Sequence, residues 1–333
     1  MPKRIPIFFT FDNNYVIPAA VAFYSLLNKT AENVFYEMYV LHSDITEANQ
    51  NLLHNIVKKF DNAELTFQNT GDFLHKEWDD GNFDGHNNKS NKFTVETTVK
   101  CFAAKFFPQY EKIIYSDVDC VFVDDISELY DIDLDGKYLA AVKNPFLKIS
   151  KSELSHLKPE HYEKLKDTSF AGGIWVLNLK QIRLDNLENK MLDIIKDNSI
   201  VKRWPDQDIM NIACDNNIEY IPLNYISYPY LQESMIDKNL PSHYSKEELY
   251  DSIINPKIIH YAAVKPWKGN TNHAELWWSI HDYLELPIMF KPYDVIKNKT
   301  KLKYKTYKNL FLICFIATII ALLTGIYTFI IMR

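Results

Sequence analysis

Over its first 120 residues the chain alternates short apolar, β-rich runs with longer stretches of helical spacing, and this alternation restricts the fold more than any other feature. Residues 5–11, 35–41, 65–67 and 112–115 read as strands; residues 16–27, 46–60 and 95–107 read as helices. Strand and helix in alternation imply an α/β fold with a parallel sheet covered on both faces. In such sheets ligands collect at the carboxyl ends of the strands, which singles out residues 10–15 and 116–120. Beyond Cys120 the pattern is less regular: 173–179 reads as a strand, 206–214 as the start of a helix, and 258–264 as a strand leading into Lys265, Pro266 and Trp267. Residues 79–92, rich in Asp, Gly and Asn, read as a mobile surface loop.

The 333 residues are 47% hydrophobic and 14% aromatic, enough apolar material for one large domain or two modest ones. Four cysteines, Cys101, Cys120, Cys214 and Cys314, stand far apart with no CxxC pair, so neither a disulfide framework nor a zinc site is expected. The N-terminus, MPKRIPIFFTFD, has only a short apolar run that breaks at Asp12, unlike a secretory signal, which places the body of the chain in the cytosol. Charge is unevenly placed. Residues 291–308 carry seven lysines against Asp294, whereas residues 1–290 carry 29 basic and 42 acidic side chains. So acidic a body lacks the basic footprint that nucleic-acid binding requires.

Residues 310–332 contain no charge, and as a helix they would span roughly 35 Å, enough to cross a bilayer. Lys297, Lys299, Lys301, Lys303, Lys305 and Lys308 precede the run with Tyr304 and Tyr307 among them, and Arg333 follows it. Lysines gather on the cytosolic side of a span and aromatic rings at its interface. The expected organisation is therefore a catalytic domain over 1–290, a Lys-rich juxtamembrane linker over 291–309 and a transmembrane helix over 310–332. The large domain would lie on the cytosolic face, in a bacterium that of the inner membrane.

Asp-x-Asp spacing occurs at Asp117/Asp119, Asp131/Asp133, Asp133/Asp135 and Asp206/Asp208, so spacing alone selects none of them. Context favours the first pair. Asp117 follows the apolar run Ile113, Ile114, Tyr115, and Cys120 to Val123 resume it, so the two carboxylates interrupt a strand and share one of its faces. Convergent carboxylates repel unless a cation lies between them, and hard oxygen donors suit Mg2+ or Mn2+. A solvated turn after an edge strand accounts for the same residues on this ground alone. The Asp131, Asp133, Asp135, Gly136 series is not an EF-hand, because Val142 stands where the bidentate Glu belongs. GxGxxG, GxxxxGK[ST], HExxH and GxSxG are all absent.

TFDNNY near the N-terminus, IIYSDVDCVF, FAGGIWVLNL, PDQD and HYAAVKPW follow one another over residues 5–268. Taken together and in this order, they resemble glycosyltransferase family 8, in particular its bacterial lipopolysaccharide and lipooligosaccharide hexosyltransferases. The resemblance implies a Rossmann-like nucleotide-sugar-binding sheet of the glycosyltransferase A type. It also implies Mn2+, or Mg2+, held by Asp117, Asp119 and His260. Thr10, Asp12, Asn14 and Tyr15 fall where the family grips the nucleotide, with Val118 inside the Asp-x-Asp motif. Lys265 falls where a lysine contacts phosphate, and Lys100 where the family often has an arginine near the donor; a lysine keeps the charge but loses the bidentate fork. Asp206 and Gln207 match the residues beside the anomeric carbon. Ala171, Gly172 and Gly173 stand where the family commonly has Asn-Ala-Gly, and HYAAVKPW is one residue shorter than the family's late motif.

The implied reaction moves galactose or glucose from a UDP-sugar to a glycan or glycolipid acceptor such as lipopolysaccharide core, with retention at the anomeric carbon. Two other readings stay open. One is a catalytically silent nucleotide-sugar-binding membrane protein that kept the fold, and the other is a self-glucosylating glycogen primer with its acceptor among the 21 tyrosines.

Overall fold

The computed structural model of the chain describes residues 2–80, 94–145, 154–231, 236 and 242–287. The expected loop over 79–92 falls almost wholly outside these residues. So do the Lys-rich linker, the apolar run 310–332 and Cys314. Among the described residues, no helix is long and apolar enough to cross a membrane.

The strands are β1 (Lys3–Thr10), β2 (Val34–His42), β3 (Ala63–Asn69), β4 (Lys112–Ser116), β5 (Cys120–Phe122), β6 (Leu139–Lys143), β7 (Phe170–Asn178), β8 (Ile218–Ile221) and β9 (Ile258–His260). Seven of them form one sheet in the order β3-β2-β1-β4-β7-β6-β8. The first four run parallel, joined by the expected helical crossovers. β1 is buried without interruption from Ile5 to Thr10, as a central strand covered on both faces must be. β7 runs antiparallel to both β4 and β6, so the sheet is mixed rather than parallel throughout. The reason lies in the connections: past residue 120 regular alternation lapses, and antiparallel neighbours need no helical crossover.

Helix Val16–Lys29 packs its face from Val16 to Leu27 into the interior, and its Ser25 hydroxyl oxygen accepts from the Phe122 N–H at 3.0 Å. Helix Glu47–Val57 begins at Thr46, whose side chain accepts from the Asn49 N–H, the usual way an orphan amide of a first turn is satisfied. The single helix expected over 95–107 is broken into Glu96–Val99, a 3-10 turn Lys100–Phe102 and Ala103–Phe106. Every residue from Thr98 to Ala104 is buried there, Lys100 included. A mid-helix tightening of this kind often marks a functional constraint.

β4 and β5 are not one interrupted strand. After Ser116 the chain leaves the large sheet through residues 117–119, and β5 pairs with β9 as a separate two-stranded antiparallel ribbon. The strand expected over 258–264 accordingly ends at His260. Asp117, Val118 and Asp119 thus form the junction between the two sheets, at the carboxyl end of β4. Among the described residues, 2–266 and 271–286 form one compact unit.

Candidate active site

Two backbone bonds fix the junction: the Asp117 N–H donates to Gly173 O of β7 at 3.0 Å, and the Tyr261 N–H donates to Asp119 O at 2.9 Å. The two carboxylates therefore hang between the large sheet and the β5/β9 ribbon, with His260 at the end of β9 facing both. His260 Nε2 lies 3.4 Å from Asp117 Oδ2 and 3.2 Å from Asp119 Oδ1. Val118, between them, is buried. β9 is pinned on its other edge, where the His260 N–H donates to Ser227 O at 2.9 Å.

Gly173 makes room for the imidazole. A Cβ on this residue would lie 2.5 Å from His260 Nδ1, closer than real Cβ atoms come. Gly172 does the same for Asp206, whose Oδ2 would sit 2.9 Å from a Cβ there, with Gln207 Oε1 at 3.9 Å. Ala171, at the position of the family's asparagine, is buried and accepts the Trp175 indole N–H on its carbonyl at 2.8 Å.

Three cations surround this acidic centre. Lys100 Nζ is buried and reaches Asp117 Oδ1 at 3.0 Å, Asp206 Oδ2 at 2.5 Å and the Tyr115 hydroxyl at 3.0 Å. The same ammonium lies over the rings of Tyr115 and Trp175, 4.4 and 5.0 Å from their centroids. Lys265 Nζ pairs with Asp119 Oδ2 and also donates to Tyr261 O at 2.8 Å. The third is the His260 imidazole: burial pulls its pKa down, but the Asp119 and Asp117 carboxylates outweigh burial and raise it to about 9. Burial pushes the Asp117 and Asp119 carboxyls up, and the opposing charges of Lys100, Lys265 and His260 bring both below the usual carboxylate range. Asp206 goes the other way, because burial outweighs the pull of Lys100.

The point where Asp117 Oδ2, Asp119 Oδ1 and His260 Nε2 meet therefore favours positive charge. A divalent cation would supply it. Two carboxylate oxygens with one imidazole nitrogen make a hard donor set that suits Mn2+ or Mg2+. The fit extends outward: Asp117 Oδ1 is occupied by Lys100 and the Tyr115 hydroxyl, which leaves Oδ2 for the ion.

The remaining expected residues lie at the carboxyl end of β1 and at the start of helix Pro205–Cys214. Tyr15 is half-buried; burial raises its phenol, and it feels the charges of Lys265, Asp119, Asp12 and Asp117. Thr10 ends β1 and is buried. Asp12 accepts from the Asn14 N–H at 2.9 Å and from the Asn14 amide at 3.3 Å, so both shape the turn at the carboxyl end of β1. Asp206 opens helix Pro205–Cys214. Its companion Asp208 is not a metal partner: it accepts the Arg203 and Trp204 N–H groups at 2.9 and 3.0 Å and pairs with His156 at 2.8 Å. Asp131 and Asp133 are likewise spent elsewhere, on Lys3 and on the Asp135 N–H.

Sequence reading missed Tyr115, Gly172, Gly173 and Cys120. Tyr115 stands two residues before Asp117 on a strand, so shared-face alternation was the available signal. The spacing of the cysteines suggests no zinc site, yet the fold brings Cys120 beside two of the expected metal ligands. It lies opposite His260 in the β5/β9 register, and donor atoms of Asp119, Cys120 and His260 fall within 4.8 Å of one another.

Comparison with known proteins agrees with this architecture. The chain is 24% identical over 307 residues to a lipopolysaccharide 1,2-glucosyltransferase of Escherichia coli, covering 88% of this chain and 83% of the relative. It is 25% identical over 190 residues to the lipopolysaccharide 1,3-galactosyltransferase of Salmonella typhimurium, covering 54% and 51%. In fold it matches the crystal structure of galactosyltransferase LgtC, solved with donor and acceptor sugar analogues. There the TM-score is 0.68 at 19% identity, over 85% of this chain and 97% of that one. The family model described as glycosyl transferase family 8 matches residues 6–271, nearly all of the described chain, and the protein therefore belongs to that family of sugar transferases.

Proposed function

We propose that the protein is a retaining, metal-dependent hexosyltransferase that moves galactose or glucose from a UDP-sugar to a glycan or glycolipid acceptor, of which lipopolysaccharide core is the model. The observation that carries this reading is the meeting of Asp117, Asp119 and His260 at one point, with Lys265 paired to Asp119 and Lys100 bridging Asp117 to Asp206, in a family 8 fold. The named relatives act on lipopolysaccharide, which supports the acceptor class.

In the reaction the bond between the anomeric carbon and the donor's β-phosphate oxygen breaks, and the acceptor hydroxyl oxygen bonds to that carbon from the same face. The hydroxyl proton passes to the departing phosphate. Asp117, Asp119 and His260 would hold Mn2+, which would supply positive charge to the diphosphate. The protein's own residues do the rest. Lys265, already fixed beside Asp119, adds a positive charge that needs no reorganisation as the phosphate departs. Gln207 and Asp206, at the start of helix Pro205–Cys214, face the anomeric carbon, where Gln207 stabilises developing positive charge. Lys100 holds Asp206 and Asp117 in register. Thr10, Asp12, Asn14, Tyr15 and Val118 line the nucleotide end.

The test is a panel of UDP-sugars with Mn2+, scored by UDP release and acceptor glycosylation. Asp117→Ala, Asp119→Ala and His260→Ala each lower turnover by on the order of a thousandfold while the circular dichroism spectrum is retained. Near-normal turnover in the double aspartate variant shows that other carboxylates are used. UDP binding without any release from a sugar identifies a silent binding protein instead.

A further inference from the structure

Cys120 has no part in the reaction set out above, yet it lies against two residues that do. It follows Asp119 directly and, as the first residue of β5, is paired with His260 of β9. Residues directly opposed in an antiparallel pair project from the same face. Asp119, Cys120 and His260 are all buried, and one donor atom from each lies within 4.8 Å of the other two. Around a four-coordinate zinc ion, metal–donor distances of about 2.0–2.3 Å place neighbouring donors roughly 3.3–3.8 Å apart. Donors that all lie within 4.8 Å of one another are therefore near the spacing such an ion requires.

The donor chemistry differs from that of the site proposed for Mn2+. Asp117, Asp119 and His260 offer oxygen, oxygen and nitrogen; Asp119, Cys120 and His260 offer oxygen, sulfur and nitrogen. Thiolate sulfur is soft and selects Zn2+ and heavier relatives such as Cd2+ over Mn2+, and zinc also stands above manganese in intrinsic affinity for mixed donor sets. His260 already turns Nε2 to Asp119 Oδ1 at 3.2 Å.

We propose that Asp119, Cys120 and His260 form a binding site for a thiophilic divalent cation, Zn2+ or Cd2+, with the fourth position left to water. On binding, the Cys120 thiol gives its proton to solvent as the sulfur–metal bond forms, and no electron transfer is involved. Because Asp119 and His260 belong to both donor sets, the two ions exclude each other. If the hexosyltransferase reading holds, a zinc ion in this site turns transfer off; the binding itself does not depend on that reading.

The experiment is titration of the full chain with Cd2+, followed by calorimetry and by the ultraviolet sulfur-to-cadmium charge-transfer band, in buffer free of other thiols. The wild-type protein develops the band to saturation at one equivalent, and excess Mn2+ shifts the titration to higher Cd2+. Cys120→Ser retains its circular dichroism spectrum, loses the band and binds Cd2+ on the order of a hundredfold more weakly, with Cys101, Cys214 and Cys314 still present. His260→Ala, which leaves every thiol in place, weakens Cd2+ binding in the same way and serves where the serine variant fails to fold. Absence of the band in the wild-type protein, or its survival in Cys120→Ser, overturns the site. Loss of hexose transfer from the proposal above leaves these spectra unchanged, so the two readings fail separately.

Discussion

Asp117 shows how one side chain can serve two neighbours. Its Oδ1 takes Lys100 and the Tyr115 hydroxyl, and its Oδ2 faces His260 Nε2 at 3.4 Å. Groups that orient a ligating carboxylate typically affect metal affinity by about 10- to 100-fold. Tyr115→Phe, which removes only the hydroxyl, is therefore expected to weaken Mn2+ binding by about tenfold or more, read by calorimetry, with a far smaller change in the UDP affinity of the metal-loaded protein. Gly173 presents the steric counterpart. Gly173→Ala places a methyl 2.5 Å from His260 Nδ1, so the imidazole must leave its position and metal binding is lost while the sheet survives. A Gly173→Ala variant that binds Mn2+ normally shows that the ligand histidine lies elsewhere.

Two elements carry titratable groups whose role is structural. Helix Pro205–Cys214 is anchored at its start by Asp208, which holds two backbone amides and His156 in a buried setting. Asp208→Ala leaves those donors unpaired, at a cost of about 2–3 kcal/mol in urea unfolding. Because Asp206 and Gln207 ride on the same helix, turnover falls with it. Helix Leu187–Lys196 is closed by Lys202, whose buried ammonium donates to Ile195 O at 2.8 Å and Asp197 O at 2.9 Å. Burial lowers the Lys202 pKa to about 8 from its ordinary 10.5. The unfolded chain then binds the more protons between those values, so this group's contribution to stability rises with pH from about 8 towards 10.5. Lys202→Met is expected to abolish that rise, which shows as a wild-type melting temperature that climbs relative to the variant's as pH increases through this window.

At the scale of the whole molecule, the acidic body of residues 1–290 contrasts with the lysines of 291–308 and the uncharged run 310–332. This contrast underlies the proposal of a catalytic domain held at the cytosolic face of a membrane, where UDP-sugars and lipid-linked acceptors meet. Deleting residues 309–333 is expected to release the protein from the membrane fraction with its turnover on soluble acceptors intact. Loss of folding in the truncated chain assigns the segment to the core instead.

Local pattern was enough for the parallel half of the sheet and for most helix starts, because an apolar period reports which face of an element is buried, whatever the rest of the chain does. It also led to Asp117, Asp119 and His260, although only through the ordered set of motifs, since four Asp-x-Asp pairs have identical spacing. The same logic erred where neighbours far apart in sequence decide the outcome. β5 continues β4 by pattern and leaves it in space, because Cys120 to Phe122 find their partners at Ile258 to His260, more than 130 residues later. The antiparallel placement of β7, the clearance at Gly172 and Gly173, the grip of Lys100 and Tyr115 on Asp117, and the approach of Cys120 to His260 have the same origin. Each is a relation between surfaces that meet only once the sheet has formed, and the periodicity of a single segment carries no information about them.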